Sequence, residues 1–416
     1  MDLLKLLDDK KIRKTDETKK IKIPGKDCEI YDVYEIPLEY LYYNDQNGRI
    51  NTTYRKYISE NEELTPESGN SEYNKIFENF IYESNKNALE NTLKSIKEKG
   101  QQEVGVVLSD GRIIDGNRRF TALRIYQRSE NVQKFFNAII LTLDQENKID
   151  KKNIKALELD LQLGREERVS YNPIDRIFDV YNTIKETKQM TAQEYRDASG
   201  AGNTKGINRD LRLAELIIKF IEIVSPGGNP VDKFYLAKDL EIDGPIEEIE
   251  SSITKLKSED KEAITDAALL YVALTKTDFV KEAPTLAVRE LKNNILNKPQ
   301  ESSYYLNAVD ERVENIMDAF ENNPIKSSND LNKVIEENQE VSNDVQKLVK
   351  STKRLIHKGN SDTKRTMVLD ELEGIRENLE EIKPENLLEL TADESRTARG
   401  VLSDISDLIY EIKKGW

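Results

Sequence analysis

The 416-residue chain has one cysteine and one histidine, Cys28 and His357. An intrachain disulfide and a zinc centre of the usual Cys/His type are therefore both excluded within one chain. A histidine-dependent triad finds no support either, because His357 lies in a polar helical stretch far from any other candidate. No run of 18 or more apolar residues occurs, and the lysine-rich beginning lacks the apolar core of a secretory signal. These absences point to a cytoplasmic protein with no membrane association. The length suggests two or three domains rather than one core.

What is abundant is charge. The formal net charge is −15, which argues against a nucleic-acid partner unless Lys and Arg are locally concentrated. They are: residues 86–128 carry 9 Lys/Arg against 5 Asp/Glu, whereas residues 366–416 carry 13 Asp/Glu against 6 Lys/Arg. Residues 1–27 are charged and weakly periodic, and read as a flexible arm. Residues 28–43, rich in Ile, Val and Tyr, predict one or two short strands, and the Ser-, Asn- and acid-rich stretch 59–74 predicts an inserted loop. Leu89, Leu93 and Ile96 share a helical face that Gly100 ends. Val104–Leu108 and Arg112–Asp115 then form a hairpin about Asp110-Gly111; a second helix opens at Asn117, and Ala138–Leu143 supplies another strand.

The chemistry concentrates in Asp115-Gly-Asn-Arg-Arg-Phe-Thr-Ala122, at the junction of that strand and that helix. A helix start offers unpaired N–H groups and partial positive charge, and a glycine lets an anion approach the main chain. Two adjacent guanidinium groups can grip phosphate oxygens in pairs. A solvated basic turn is the bland alternative for Gly116-Asn-Arg-Arg119. The ordered succession of helix, strand, Asp-Gly turn, strand, Gly-x-Arg-Arg and helix favours the anion site.

Beyond residue 150 almost all periodicity is helical. Thr191–Ala198, a Gly-containing turn over 199–203, and Thr204–Ala214 have the form of a helix-turn-helix. Thr204, Lys205, Asn208, Arg209 and Arg212 are the residues suited to reading DNA from its second helix. Leu331, Val334, Asn338, Val341, Val345, Leu348, Thr352 and Leu355 alternate at spacings of three and four, which suits a coiled coil. That stripe is read either as a homodimer seam with Asn338 in its core or as one half of an intramolecular hairpin. Two further helices are expected at Val368–Ile382 and Leu402–Ile412. Tyr40, Tyr42, Tyr43, Tyr54 and Tyr57 cluster, and core packing accounts for them better than base stacking.

The segments Ala88–Gly100, Val104–Leu108 and Ile113-Ile-Asp-Gly-Asn-Arg-Arg-Phe-Thr-Ala-Leu123 resemble the N-terminal domain of ParB-type partition proteins. Ile36–Leu41 with Asn44–Arg49 resembles that family's first box, and Ser170–Arg176 the start of its central helical domain. The resemblance covers about residues 30–220. It implies an α+β chain: a small mixed-sheet ParB/sulfiredoxin-like domain (28–150), a mostly α-helical central part with a helix-turn-helix (151–225), a helical region of unassigned role (226–325) and a helical or coiled-coil tail (326–416). It also implies that Gly116, Arg118 and Arg119 bind the phosphates of a nucleotide, commonly CTP, or another NTP with Mg2+. Arg49, Asn117 and Thr121 join this set. Asn117 replaces the family's glutamate, and the second box has only Asp160, Gln162 and Arg165 at roughly its place. In sulfiredoxin a cysteine stands where this chain has Asn117, so that reductase activity is set aside. The implied function is a nucleotide-responsive DNA-binding homodimer acting in partition or gene regulation, with a ParA-like ATPase as a candidate partner. The alternatives are an enzyme consuming the nucleotide (triphosphatase, phosphotransferase or nuclease) and a repressor or adaptor with an inert pocket.

Overall fold

A computed structural model describes residues 2–23, 28–143, 147–163, 172–359 and 390–415, with isolated positions between 372 and 387. It divides into two units, Met1–Lys353 and Arg354–Trp416. The chain is a mixed α and β protein in which helix predominates.

The first unit is built on a six-stranded mixed sheet: β1 (Arg13–Lys22), β2 (Cys28–Pro37), β3 (Tyr42–Tyr43), β4 (Gly105–Leu108), β5 (Arg112–Asp115) and β6 (Phe135–Leu141), in the order β1-β2-β6-β4-β5-β3. β4 is central, parallel to β6 and antiparallel to β5. Its side chains alternate between two cores. Val107 lies with Ile113, Phe136, Ala138 and Ile140 on one face, and Val106 and Leu108 with Ile114, Ile139 and Leu141 on the other. Helices α3 (Ser71–Ser84), α4 (Lys86–Lys99) and α5 (Asn117–Glu130) cover the first face. Ile154, Leu157 and Leu161 of α6 (Lys148–Leu163) cover the second. A strand buried on both faces must be apolar throughout, which is why Val104–Leu108 reads as a continuous apolar run. The turn between β4 and β5 needs Gly111: its φ is 97°, and a Cβ there would lie 2.3 Å from the Tyr40 carbonyl oxygen.

Over residues 2–23 the expected flexible arm is instead helix and strand. Leu3 and Leu6 of α1 (Leu3–Asp8) enter the first core, the Leu3 N–H donates to the Ser109 carbonyl, and β1 pairs with β2 along the sheet edge. Pairing runs through main-chain groups, so the charges of Arg-Lys-Thr-Asp-Glu-Thr-Lys-Lys concealed it; lysines are a usual guard on an edge strand. The expected loop 59–74 is shorter than its composition suggests. α2 (Asn51–Glu60) runs into it, and α3 begins at Ser71 on an Asn70 cap.

Downstream lie α7 (Pro173–Tyr181), α8 (Ala192–Ser199), α9 (Lys205–Val224), α10 (Tyr235–Asp239), α11 (Asp243–Lys255), α12 (Lys261–Leu274), α13 (Pro284–Leu291) and α14 (Pro299–Asn322). The division expected at residue 225 passes through one continuous core, because α9 packs against α7, α11, α12 and α14. Its second half buries Leu216, Ile217, Phe220, Ile221, Ile223 and Val224 and keeps Glu215, Lys219 and Glu222 on one narrow polar stripe, the mark of a helix packed around most of its circumference.

The single coiled-coil helix expected over 331–355 is two helices, α15 (Ser328–Glu336) and α16 (Gln339–Gly359). Asn338 is exposed between them, and its side chain caps α16 by accepting from the N–H groups of Glu340 and Val341. Leu331, Val341, Val345, Leu348 and Thr352 are buried within the chain itself, so the intramolecular reading of the stripe holds and Asn338 is not a core amide. In the second unit the helix Ala392–Gly415 carries the expected Leu402–Ile412 segment; Val368 lies outside the described residues. Among the described residues no helix is long and apolar enough to cross a membrane.

Candidate anion site and helix-turn-helix

α5 begins where β5 ends. Gly116 is the residue before its first turn, with φ 102°, and a Cβ there would meet Phe136 at 2.7 Å and the Arg119 guanidinium at 3.0 Å. No side chain caps this helix start. Its first N–H groups are thus left to water or to a ligand.

The cations around that start differ in their partners. Arg119 is tied to Asp115 at 2.8 Å. Arg118 makes no ion pair or hydrogen bond among the described residues. Burial, and then the positive charges of Arg49 and Arg119, hold its pKa below the usual arginine value. A half-buried cation beside two others is a costly arrangement that an anion relieves. Arg49 arrives from the loop before α2. Asn47 turns that loop by accepting from the Arg49 N–H at 3.1 Å, and Asp45, its acid, is bound to Arg112 at 2.8 Å. Asn117 is buried, and its Oδ1 has no hydrogen-bond partner among the described residues; the same holds for Nε of Arg119. An orphaned buried polar atom costs about 1–3 kcal/mol unless something bonds it.

The remaining sequence candidates fare differently. Thr121 is fully buried, its hydroxyl donating to the Asn117 carbonyl at 2.9 Å and lying 2.8 Å from the Tyr43 hydroxyl. It holds the first turn of α5 to the core. Gln162 does approach the arginine loop: its amide reaches Asn47 Oδ1 at 3.5 Å and Glu158 at 3.1 Å. Asp160, two residues away, points from the opposite side of α6 into an exposed groove, since two residues turn a helix by about 200°. Arg165 lies outside the described residues. The tyrosines are core: Tyr43 packs edge-on against Phe120 at 5.0 Å and Tyr54 against Phe77 at 4.8 Å.

Sequence reading did not single out Asn47, although Asn-Gly-Arg is a recognisable side-chain-to-backbone turn signal. It also missed a buried polar cluster with no periodic signature. Lys155 Nζ donates to Asp179 at 2.6 Å and lies 3.6 Å from Glu158, and the Tyr195 hydroxyl donates to Asp179 at 2.9 Å. Burial, with Asp179 adding to it and Lys155 opposing it, pushes the Glu158 carboxyl up to about 7. Burial works against the Lys155 charge, yet Asp179 and Glu158 hold its pKa above the ordinary lysine value. The cluster joins α6 to α7 and α8, and through Gln162 it touches the arginine loop.

Helix, turn and helix are present as α8 and α9. Thr191 and Glu194 cap α8 reciprocally, and Gly200 ends it in the left-handed region at φ 70°. Lys205 and Asn208 are exposed at the start of α9, and Thr204 is half-buried. Arg209 and Arg212 are not presented in the same way. Arg209 lies 3.1 Å from Glu247, and Arg212 donates to Glu250, both on α11.

Magnesium finds no protein cage here. Among the described residues no three His, Cys, Asp or Glu side chains gather as a ligand set, Asp115 is engaged by Arg119, and Asp160 is elsewhere. A magnesium ion at this site would ride on ligand phosphates, as that ion commonly does. In comparisons with known proteins, no family model matches the chain and no curated protein is similar to it.

Proposed function

We propose that the start of α5 binds the phosphates of a nucleoside triphosphate, and that the chain is a nucleotide-responsive DNA-binding protein of the ParB-like kind. The reading is carried by one observation: Arg118, unpaired among the described residues, stands with Arg49 and Arg119 around an uncapped helix start opened by Gly116. Main-chain N–H groups would take the oxygens of one phosphate, Arg118 those of the next, and the Asn117 amide a polar group of the ligand. Arg119, steered by Asp115, would set the far wall. DNA contact is assigned to the beginning of α9, through Thr204, Lys205 and Asn208; the paired Arg209 and Arg212 would contribute only after release from α11.

Titration calorimetry with CTP, ATP, GTP and UTP in the presence of Mg2+ tests the pocket. Arg118→Ala is expected to weaken the preferred nucleotide roughly 10- to 100-fold, the worth of one or two charge-assisted hydrogen bonds. Asp160→Asn is expected to leave it unchanged. Equal affinity in the wild type and the Arg118 variant refutes the assignment.

A further inference from the structure

A groove of about 1140 Å3 runs between the first turns of α6, the turn at residues 187–190 and α8. We propose that this groove holds the sugar–phosphate backbone of duplex DNA, as a surface separate from the start of α9. The inference rests on the DNA-binding reading above and names a second surface for it.

Five lysines line the groove: Lys22, Lys148, Lys151, Lys152 and Lys188. Among the described residues only Lys152 is neutralised, by Glu194, and that carboxylate is further occupied by the N–H and hydroxyl of Thr191. Asp197, also on the wall, is paired with its neighbour Arg196. Asp160 is the remaining acid. Lys22, Lys148, Lys151 and Lys188 are exposed and make no ion pair among the described residues. In a chain whose formal charge is −15, four such cations in one concavity are a local reversal of sign. Like charges brought together repel, and a run of phosphates is the partner that relieves this along the length of a groove. The lysines of α6 add a second argument. Lys148, Lys151 and Lys152 occupy its first turn and the residues just after, at spacings of three and four, so they share a face. At a helix start the dipole disfavours cations, so the placement of Lys148 and Lys151, which have no ion pair among the described residues, costs stability in the folded protein and is not explained by it. An anion drawn there meets both the lysines and the helix start. The opposite wall is α8, the first helix of the helix-turn-helix, which in DNA-binding proteins of this form crosses the backbone while the second helix enters the groove.

Fluorescence anisotropy with a labelled duplex of mixed sequence, across a range of salt concentrations, tests the proposal on the full chain. Lys148→Gln/Lys151→Gln and Lys188→Gln replace exposed side chains, and circular dichroism with thermal melting verifies that each variant is folded. The double variant is expected to weaken binding roughly tenfold at moderate salt and to lower the slope of log K against log salt by about two, near 0.9 for each phosphate no longer neutralised. Lys205→Ala/Asn208→Ala is the parallel arm for the start of α9. Unchanged affinity and slope in the groove variants, with weaker binding by the α9 variant, overturns the groove and leaves the DNA reading standing. Weaker binding by the groove variants alone supports the groove and removes α9 as the principal DNA surface. A wild type that binds no duplex overturns both.

Discussion

Two basic regions of this chain look alike as text and differ as structures. Around α5, Arg118 is half-buried with cations for neighbours and has no carboxylate partner among the described residues. On α9, Arg209 and Arg212 face Glu247 and Glu250 and are held by them. A guanidinium that is already paired ties two helices together; one near other positive charges carries a repulsion that an anion would relieve. The difference lies in what the fold brings opposite each arginine, 38 residues away in the case of Arg209 and Arg212.

The first of these regions can be broken at its glycine. Gly116→Val puts a β-branched residue at φ 102° and a Cβ against Phe136, and is expected to destabilise the protein by about 3 kcal/mol or more. Urea unfolding should show this together with loss of nucleotide affinity. A variant as stable as the wild type would mean that the loop does not need the left-handed conformation.

The cluster that lies between the two regions offers a pH test. Glu158 has a folded pKa of about 7 against an ordinary value of 4.5, so the folded state keeps a proton that the unfolded state has lost. Its contribution is therefore full below about pH 4.5 and disappears as the pH rises through 7. Over that window the wild type should lose about 2–3 kcal/mol relative to Glu158→Gln, an upper figure for one carboxyl so displaced. Parallel unfolding curves at pH 5 and pH 8 would reject the assignment.

Releasing the arginines of α9 sharpens the contrast from the other side. Glu250→Gln removes the carboxylate shared by Arg209 and Arg212, whose side chains are 42 % exposed. Because water takes over part of the pairing, the expected cost is about 1–2 kcal/mol. Duplex affinity should rise, since Arg212 becomes available beside Lys205 and Asn208 while Arg209 keeps Glu247. Unchanged affinity would mean that α9 does not face DNA with that surface. The smallest effect is expected at Asn338→Ala, about 1 kcal/mol for a missing helix cap. Sedimentation should show the same oligomeric state before and after, which a buried coiled-coil amide would not permit.

The central hairpin, the helix before it and the Gly-x-Arg-Arg turn were legible in the chain because each has a local cause: an apolar run, an Asp-Gly turn, a glycine at a left-handed position. Periodicity likewise made the helical stretches visible, since a buried face repeats at short range. It did not distinguish one helix from two over 331–355, because the same spacing serves a partner chain and the chain's own core. β1 was hidden for the opposite reason, as its pairing uses main-chain groups and its side chains are mostly charged. The approach of Arg49 to Arg118 and of Gln162 to Asn47, the engagement of Arg209 and Arg212 by α11, and the isolation of Asp160 were decided only by folding. Charge and hydrogen bonding act through distances in space, and residues tens of positions apart acquire those distances only when the sheet and helices pack.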